Sequence, residues 1–92
     1  MPQKRWTMLI SGKVQGVSYR ASTQQIAKQL GVTGYARNLP DGRVEVVAQG
    51  AVENLQAFRI WCAKGPSAAE VTGITVSEDD AENEEFRDFL TQ

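Results

Sequence analysis

Near the middle of the chain stands Pro40-Asp41-Gly42, and no other local feature restricts the fold as much. Proline holds φ near about −65° and glycine takes positive φ at no steric cost, so the triplet reverses the chain. Segments of strand character lie on either side, Gly34 to Leu39 and Val44 to Gln49, and together they predict a β-hairpin. Upstream, the β-rich run Arg5 to Ser11 ends at Gly12 and predicts a first strand. From Ser22 to Leu30, the residues Ile26, Ala27 and Leu30 recur at helical spacing before Gly31, a C-terminal cap. Beyond the hairpin, Ala51 to Ala63 sets Val52, Leu55, Phe58 and Cys62 on one stripe with Trp61 beside it. Gly65-Pro66 stops that helix, because proline cannot continue it. Ala69 to Ser77 and Glu85 to Leu90 predict two last strands, with Gly73 a site for a β-bulge.

The resulting order is β-α-β-β-α-β followed by one more strand. It predicts an α+β, ferredoxin-like sandwich: two helices on one face of a mostly antiparallel sheet, with an additional C-terminal strand. A chain of 92 residues has room for one core, so residues 1–92 are expected to form a single domain. With 41% hydrophobic and 23% charged residues, it has the composition of an ordinary globular chain rather than a disordered one. Many activities share this architecture, so function has to be argued from a site.

Absent residue types remove whole classes of chemistry. There is no histidine, and Cys62 stands alone, so the usual zinc, copper and haem ligand sets and a Ser-His-Asp triad cannot be assembled, and no internal disulfide forms. A lone thiol and the short apolar run Met8-Leu9-Ile10 point to the cytoplasm, without a membrane segment. The net charge of −1 argues against a nucleic-acid surface. Residues 1–46 carry seven cationic and two anionic side chains, net +5, and residues 47–92 carry three and nine, net −6. An anionic ligand is therefore expected in the first half. The cluster Glu78, Asp79, Asp80, Glu82, Glu84, Glu85 reads as a solvated loop, since it lacks calcium-loop spacing around a turn glycine.

Two segments carry candidate chemistry. Gly12-Lys13-Val14-Gln15-Gly16-Val17-Ser18-Tyr19-Arg20 lies between a strand and a helix. Its glycines permit a tight bend and close approach of main chain to a ligand, and the helix N-terminus favours an anion. Glycines alone fit a plain connection equally well, but a guanidinium at the end of the loop adds paired donors suited to two phosphoryl or carboxylate oxygens. In the second segment, strand alternation sets Ala36 and Asn38 on one face and Tyr35, Arg37 and Leu39 on the other. Asn38 then either helps the turn as an Asx residue or serves a site beside it.

The strings Gly12-x-Val14-Gln15-Gly16-Val17-x-Tyr19-Arg20 and Gly34-Tyr35-Ala36-x-Asn38-x-x-Asp41-Gly42-x-Val44 resemble the two signatures of the acylphosphatases. The likeness runs the whole chain, through Lys64-Gly65-Pro66 to a final aromatic strand near Phe86. It implies metal-independent, cofactor-free hydrolysis of acyl phosphates to a carboxylate and inorganic phosphate. By the same resemblance, Arg20 and the loop residues Val14, Gln15, Gly16, Val17, Ser18 and Tyr19 hold the phosphoryl group, and Asn38 positions the attacking water. Two positions depart from the pattern: Tyr19 stands where phenylalanine is commoner, and Asp88 where an inward apolar group is expected.

The absence of histidine suits that chemistry, because a carboxylate leaving group needs no proton from a general acid. Phosphoryl transfer passes through a loose transition state, so catalysis reduces largely to holding the phosphoryl oxygens and aligning water. Among the alternatives, an RNA-recognition module needs paired aromatics on a central strand, and Val44-Glu45-Val46-Val47-Ala48-Gln49 supplies none. A non-catalytic module binding phosphate or an acyl phosphate would keep the loop but has no use for Asn38. The carbamoyl-phosphate-handling segments of larger maturation enzymes resemble the same family. The expected working form is a monomer.

Overall fold

A computed structural model of the chain describes residues 3–81 and 86–92. Its elements follow in the order β1 (Gln3–Lys13), α1 (Tyr19–Leu30), β2 (Thr33–Asn38), β3 (Val44–Gly50), α2 (Val52–Lys64), β4 (Glu70–Ala81) and β5 (Phe89–Thr91). The strands form one sheet in the order β4-β1-β3-β2-β5. All pairings are antiparallel except β2 with β5, which is parallel. This is the ferredoxin-like arrangement with a fifth strand added at the β2 edge.

Alternation along the strands decides which face the helices cover. Trp6, Met8 and Ile10 of β1, Val44, Val46 and Ala48 of β3, and Ala36 of β2 are buried in one cluster. Leu55, Phe58 and Cys62 of α2 and Tyr19 and Ala27 of α1 close over them. Each large apolar side chain sealed there contributes about 1.5–3 kcal/mol. On α1 the buried residues are Tyr19, Thr23 and Ala27, a four-residue spacing, while Ile26 and Leu30 pack at its margin. Val52, expected on the inner stripe of α2, is exposed because it sits at the helix start beyond the sheet's cover. The central turn forms as anticipated, with Gly42 at φ 96°.

Three expectations need correction. The acidic stretch is not a loop throughout, since β4 runs on through Glu78, Asp79 and Asp80. Partners on β1 make this possible: Trp6 Nε1 donates to Glu78 Oε2 at 2.7 Å, and the Lys4 ammonium donates to Asp80 Oδ1. Glu82, Glu84 and Glu85 lie outside the described residues. The last strand is shorter than Glu85 to Leu90, reduced to Phe89–Thr91. Its inward position belongs to Phe89, whose ring meets Phe58 edge-on at 5.7 Å. Asp88 stays outside, accepting from the Phe89 N–H at 2.8 Å and pairing with Lys28 at 3.7 Å. Finally, the bulge falls beside Gly73, where Ser11 faces Gly73 and Gly12 faces Val71, so that Thr72 is the extra residue.

Candidate active site

Topology brings the two signature segments to one end of the sheet. Both β1 and β2 run antiparallel to β3, which lies between them, so they run in the same direction. Ile10, Val44 and Asn38 occupy successive strands in register. The loop leaving β1 after Lys13 and the residue ending β2, Asn38, therefore emerge at the same end.

The loop's conformation follows from its residues. Val14 is buried and Val17 packs against the core, as does the Tyr19 ring. Anchored by these side chains, the main chain winds between them with Gly16 at φ 76° and Ser18 at φ 61°. Among the described residues Ser18 alone of the non-glycines has positive φ, so φ alternates in sign from Gln15 to Ser18. Such alternation turns successive N–H groups toward a common side and makes an anion-binding concavity. For a serine the left-handed conformation costs about 1–2 kcal/mol. No backbone or side-chain acceptor among the described residues pairs with the amides from Gln15 to Arg20. They run into the N-terminus of α1, whose first turn holds no acidic residue and whose cap Ser18 makes no side-chain bond. Main-chain donors, a partial positive helix end and no competing carboxylate meet there.

Arg20 is the second residue of α1 and is half-buried. Its Nη1 donates to the Gln92 backbone oxygen, and the Gln92 N–H donates to Ala36 O at 2.9 Å. Gln24 Nε2 donates to Phe89 O at 2.7 Å from the same helix. The guanidinium is thus tied through Gln92, just past β5, to β2, the strand that ends in Asn38, while its remaining N–H donors have no partner among the described residues.

Asn38 shares a face with buried Ala36 but is itself exposed, one step past the cover of the helices. It is not the residue that closes the turn. Leu39 N–H donates to Arg43 O at 2.8 Å and Gly42 N–H to Leu39 O at 3.1 Å, while the Asp41 carboxylate accepts from the Arg43 N–H at 3.1 Å and from Arg43 Nε at 2.8 Å. These bonds, led by the Arg43 N–H, hold the Asp41 carboxyl below its ordinary pKa. No hydrogen bond among the described residues engages the Asn38 side chain. On the opposite face Tyr35 and Arg37 both donate to Glu45, as alternation requires.

One side chain escaped the sequence reading, which treated the loop as main chain only. Gln15 Nε2 donates to Leu39 O at 2.8 Å and to Arg43 O at 2.9 Å. Its partners lie across the fold, so no local pattern signals the contact. The remaining reactive groups are sequestered. Tyr19 donates its hydroxyl to Cys62 O at 2.6 Å, and burial raises its pKa. Burial also pushes the Cys62 thiol up to about 12. Lys13 ends β1 exposed. Among the described residues no group of three or more metal-ligating side chains comes together, and no helix is long and apolar enough to cross a membrane.

The sequence matches the family model Acylphosphatase over residues 6–91. It is 54% identical over 91 residues to an acylphosphatase of Marinobacter nauticus, covering 99% of this chain and 98% of that one. Among solved structures, the acylphosphatase from Bacillus subtilis superimposes with a TM-score of 0.91 at 31% identity, covering 97% of this chain and 98% of that one. An acylphosphatase from Coxiella burnetii superimposes with a TM-score of 0.85 at 33% identity, covering 99% of this chain and 94% of that one.

Proposed function

The chain belongs to the acylphosphatase family, a hydrolase acting on acyl phosphates, and from that premise we propose how its residues divide the work. The main-chain amides of residues 14–20 and the free donors of Arg20 hold the phosphoryl oxygens, and Asn38 orients a water for in-line attack on phosphorus. The P–O bond to the acyl oxygen breaks, a carboxylate departs and inorganic phosphate forms.

The observation that carries this reading is the run of amides from Gln15 to Arg20, without acceptors among the described residues, emerging at the same end of the sheet as Asn38. Charge spreads over the phosphoryl oxygens in a loose transition state, and fixed donors there need no reorganisation as it develops. An asparagine amide both donates to and accepts from a water. It is too weak a base to deprotonate it, so the proton passes to a phosphoryl oxygen. No histidine occurs to serve as general acid, and the carboxylate leaving group needs none. A single domain working as a monomer in the cytoplasm, without cofactor or nucleic-acid partner, completes the proposal. The buried lone thiol of Cys62 is compatible with that compartment.

The test is steady-state hydrolysis of benzoyl phosphate in excess EDTA, run beside Arg20→Ala and Asn38→Ala. Full activity with chelator and its loss in both variants is expected. Activity abolished by EDTA, or retained by both variants, would overturn the scheme.

A further inference from the structure

Gln15 is the loop residue whose side chain reaches out of the loop. The two carbonyls it grips, Leu39 O and Arg43 O, sit at the neck of the hairpin between β2 and β3. Leu39 N–H donates to Arg43 O across that neck. A primary amide offers two protons on one nitrogen, one for each leg of the hairpin. No other hydrogen bond or ion pair among the described residues joins loop residues 14–18 to residues 38–43. Asn38 adjoins the neck and is exposed, so core packing does not fix its side of the site. Val14, next to Gln15, is buried, so the strap runs from an anchored loop to the neck of the hairpin.

Resting on the roles given above to Arg20 and Asn38, we propose that Gln15 is a positioning residue. Its side chain sets the spacing between the phosphate-holding loop and Asn38, and it affects turnover through Asn38 alone. Near-attack geometry is steep, and a misplacement of about 1 Å can cost about 10²-fold in rate. Removing the strap leaves the amides and Arg20 in place, so phosphate should still bind while the water loses its alignment.

The experiment measures kcat, KM and the competitive Ki of inorganic phosphate, with benzoyl phosphate as substrate. The proteins are the wild type, Gln15→Ala, Gln15→Glu, Asn38→Ala and the Gln15→Ala/Asn38→Ala double variant. Thermal unfolding checks each fold, and Gln15→Glu, which keeps the side chain's shape, carries the test if Gln15→Ala does not fold. We expect kcat to fall about 10- to 100-fold in both Gln15 variants, with the phosphate Ki of the uncharged Gln15→Ala within about 2-fold of wild type. In the Asn38→Ala background the same change should cost less than about 3-fold. Gln15→Glu should regain part of its kcat as pH falls below the pKa of the new carboxyl, because the protonated acid donates to one of the two carbonyls. Gln15→Ala should show no such recovery. Additive losses in the double variant, or a phosphate Ki of Gln15→Ala that weakens in step with its kcat, would overturn the positioning role. Wild-type kcat in Gln15→Ala with a slow Asn38→Ala would overturn it while leaving the site reading intact. Wild-type kcat in Asn38→Ala would remove the role of Asn38, and the strap's role with it.

Discussion

The two helices begin in opposite ways. At α2, Ala51 is extended and its carbonyl accepts from Asn54 and Leu55 at 3.0 Å each, and Glu53 lies in the first turn. At α1, the Ser18 carbonyl likewise accepts from Ser22 at 3.0 Å, but the cap is left-handed, the amides from Gln15 to Arg20 find no acceptor among the described residues, and Arg20 takes the place of an acid. Both helix ends carry the same partial positive charge. One is complemented by its own carboxylate, and the other is left open beside a cation. The two also start at opposite ends of the sheet, because α1 follows β1 and α2 follows the antiparallel β3. A helix dipole is common property, and the preceding loop and nearest charge decide which terminus is available to an anion.

Breaking the open terminus should produce the largest effect. Arg20→Ala is expected to lower kcat/KM for benzoyl phosphate by more than about 10³-fold. Arg20→Lys should also fail, since an ammonium cannot reproduce two parallel donors. Steady-state kinetics of both variants check this, and near-normal turnover by the lysine variant would contradict paired donation. Asn38→Ala should cost about 10²–10³ in kcat. Competitive inhibition by phosphate should persist, because the terminus of α1 is intact. Loss of both together would mean that the variant had disturbed the strand instead.

A smaller effect concerns the contact that joins the helices, Tyr19 O–H to Cys62 O. Burial raises both the tyrosine and the thiol, the thiol to about 12 from 9.0. For a group raised on folding, the contribution is whole below the unfolded pKa and fades as pH climbs through the folded one. Urea midpoints should therefore hold steady to about pH 9 and decline between 9 and about 12, and the native thiol should resist alkylation at pH 8. The smallest effect belongs to the closed terminus. Glu53→Gln should lower stability by no more than about 1 kcal/mol and leave kcat and KM unchanged. A change in phosphate Ki for that variant would blur the distinction between the two ends.

Much of this was legible in the sequence where the cause was local. The Pro40-Asp41-Gly42 turn and the existence of both helices depend on near neighbours, and they form as expected. What escaped reading depended on partners far along the chain. Glu78, Asp79 and Asp80 look like a loop until Trp6 and Lys4 are seen across the strand. Helix α1 begins at Tyr19 rather than Ser22, and the hydroxyl of that first residue reaches Cys62 on the other helix. β5 contracts because Phe89, not a residue nearer the acidic run, meets Phe58. For the proposed site, the residues singled out the loop and Arg20 and the family resemblance added Asn38, whereas the paired hydrogen bonds from Gln15 to the hairpin neck become visible only when the sheet is assembled.

A phosphate titration followed by amide ¹⁵N–¹H NMR tests the division between the two termini most directly. Saturable shifts should concentrate on the amides from Gln15 to Arg20, join the side-chain signals of Arg20 and be absent at Val52, Glu53 and Asn54, and Arg20→Ala should abolish them. Shifts centred on the start of α2, or none that saturate between Gln15 and Arg20, would contradict the account.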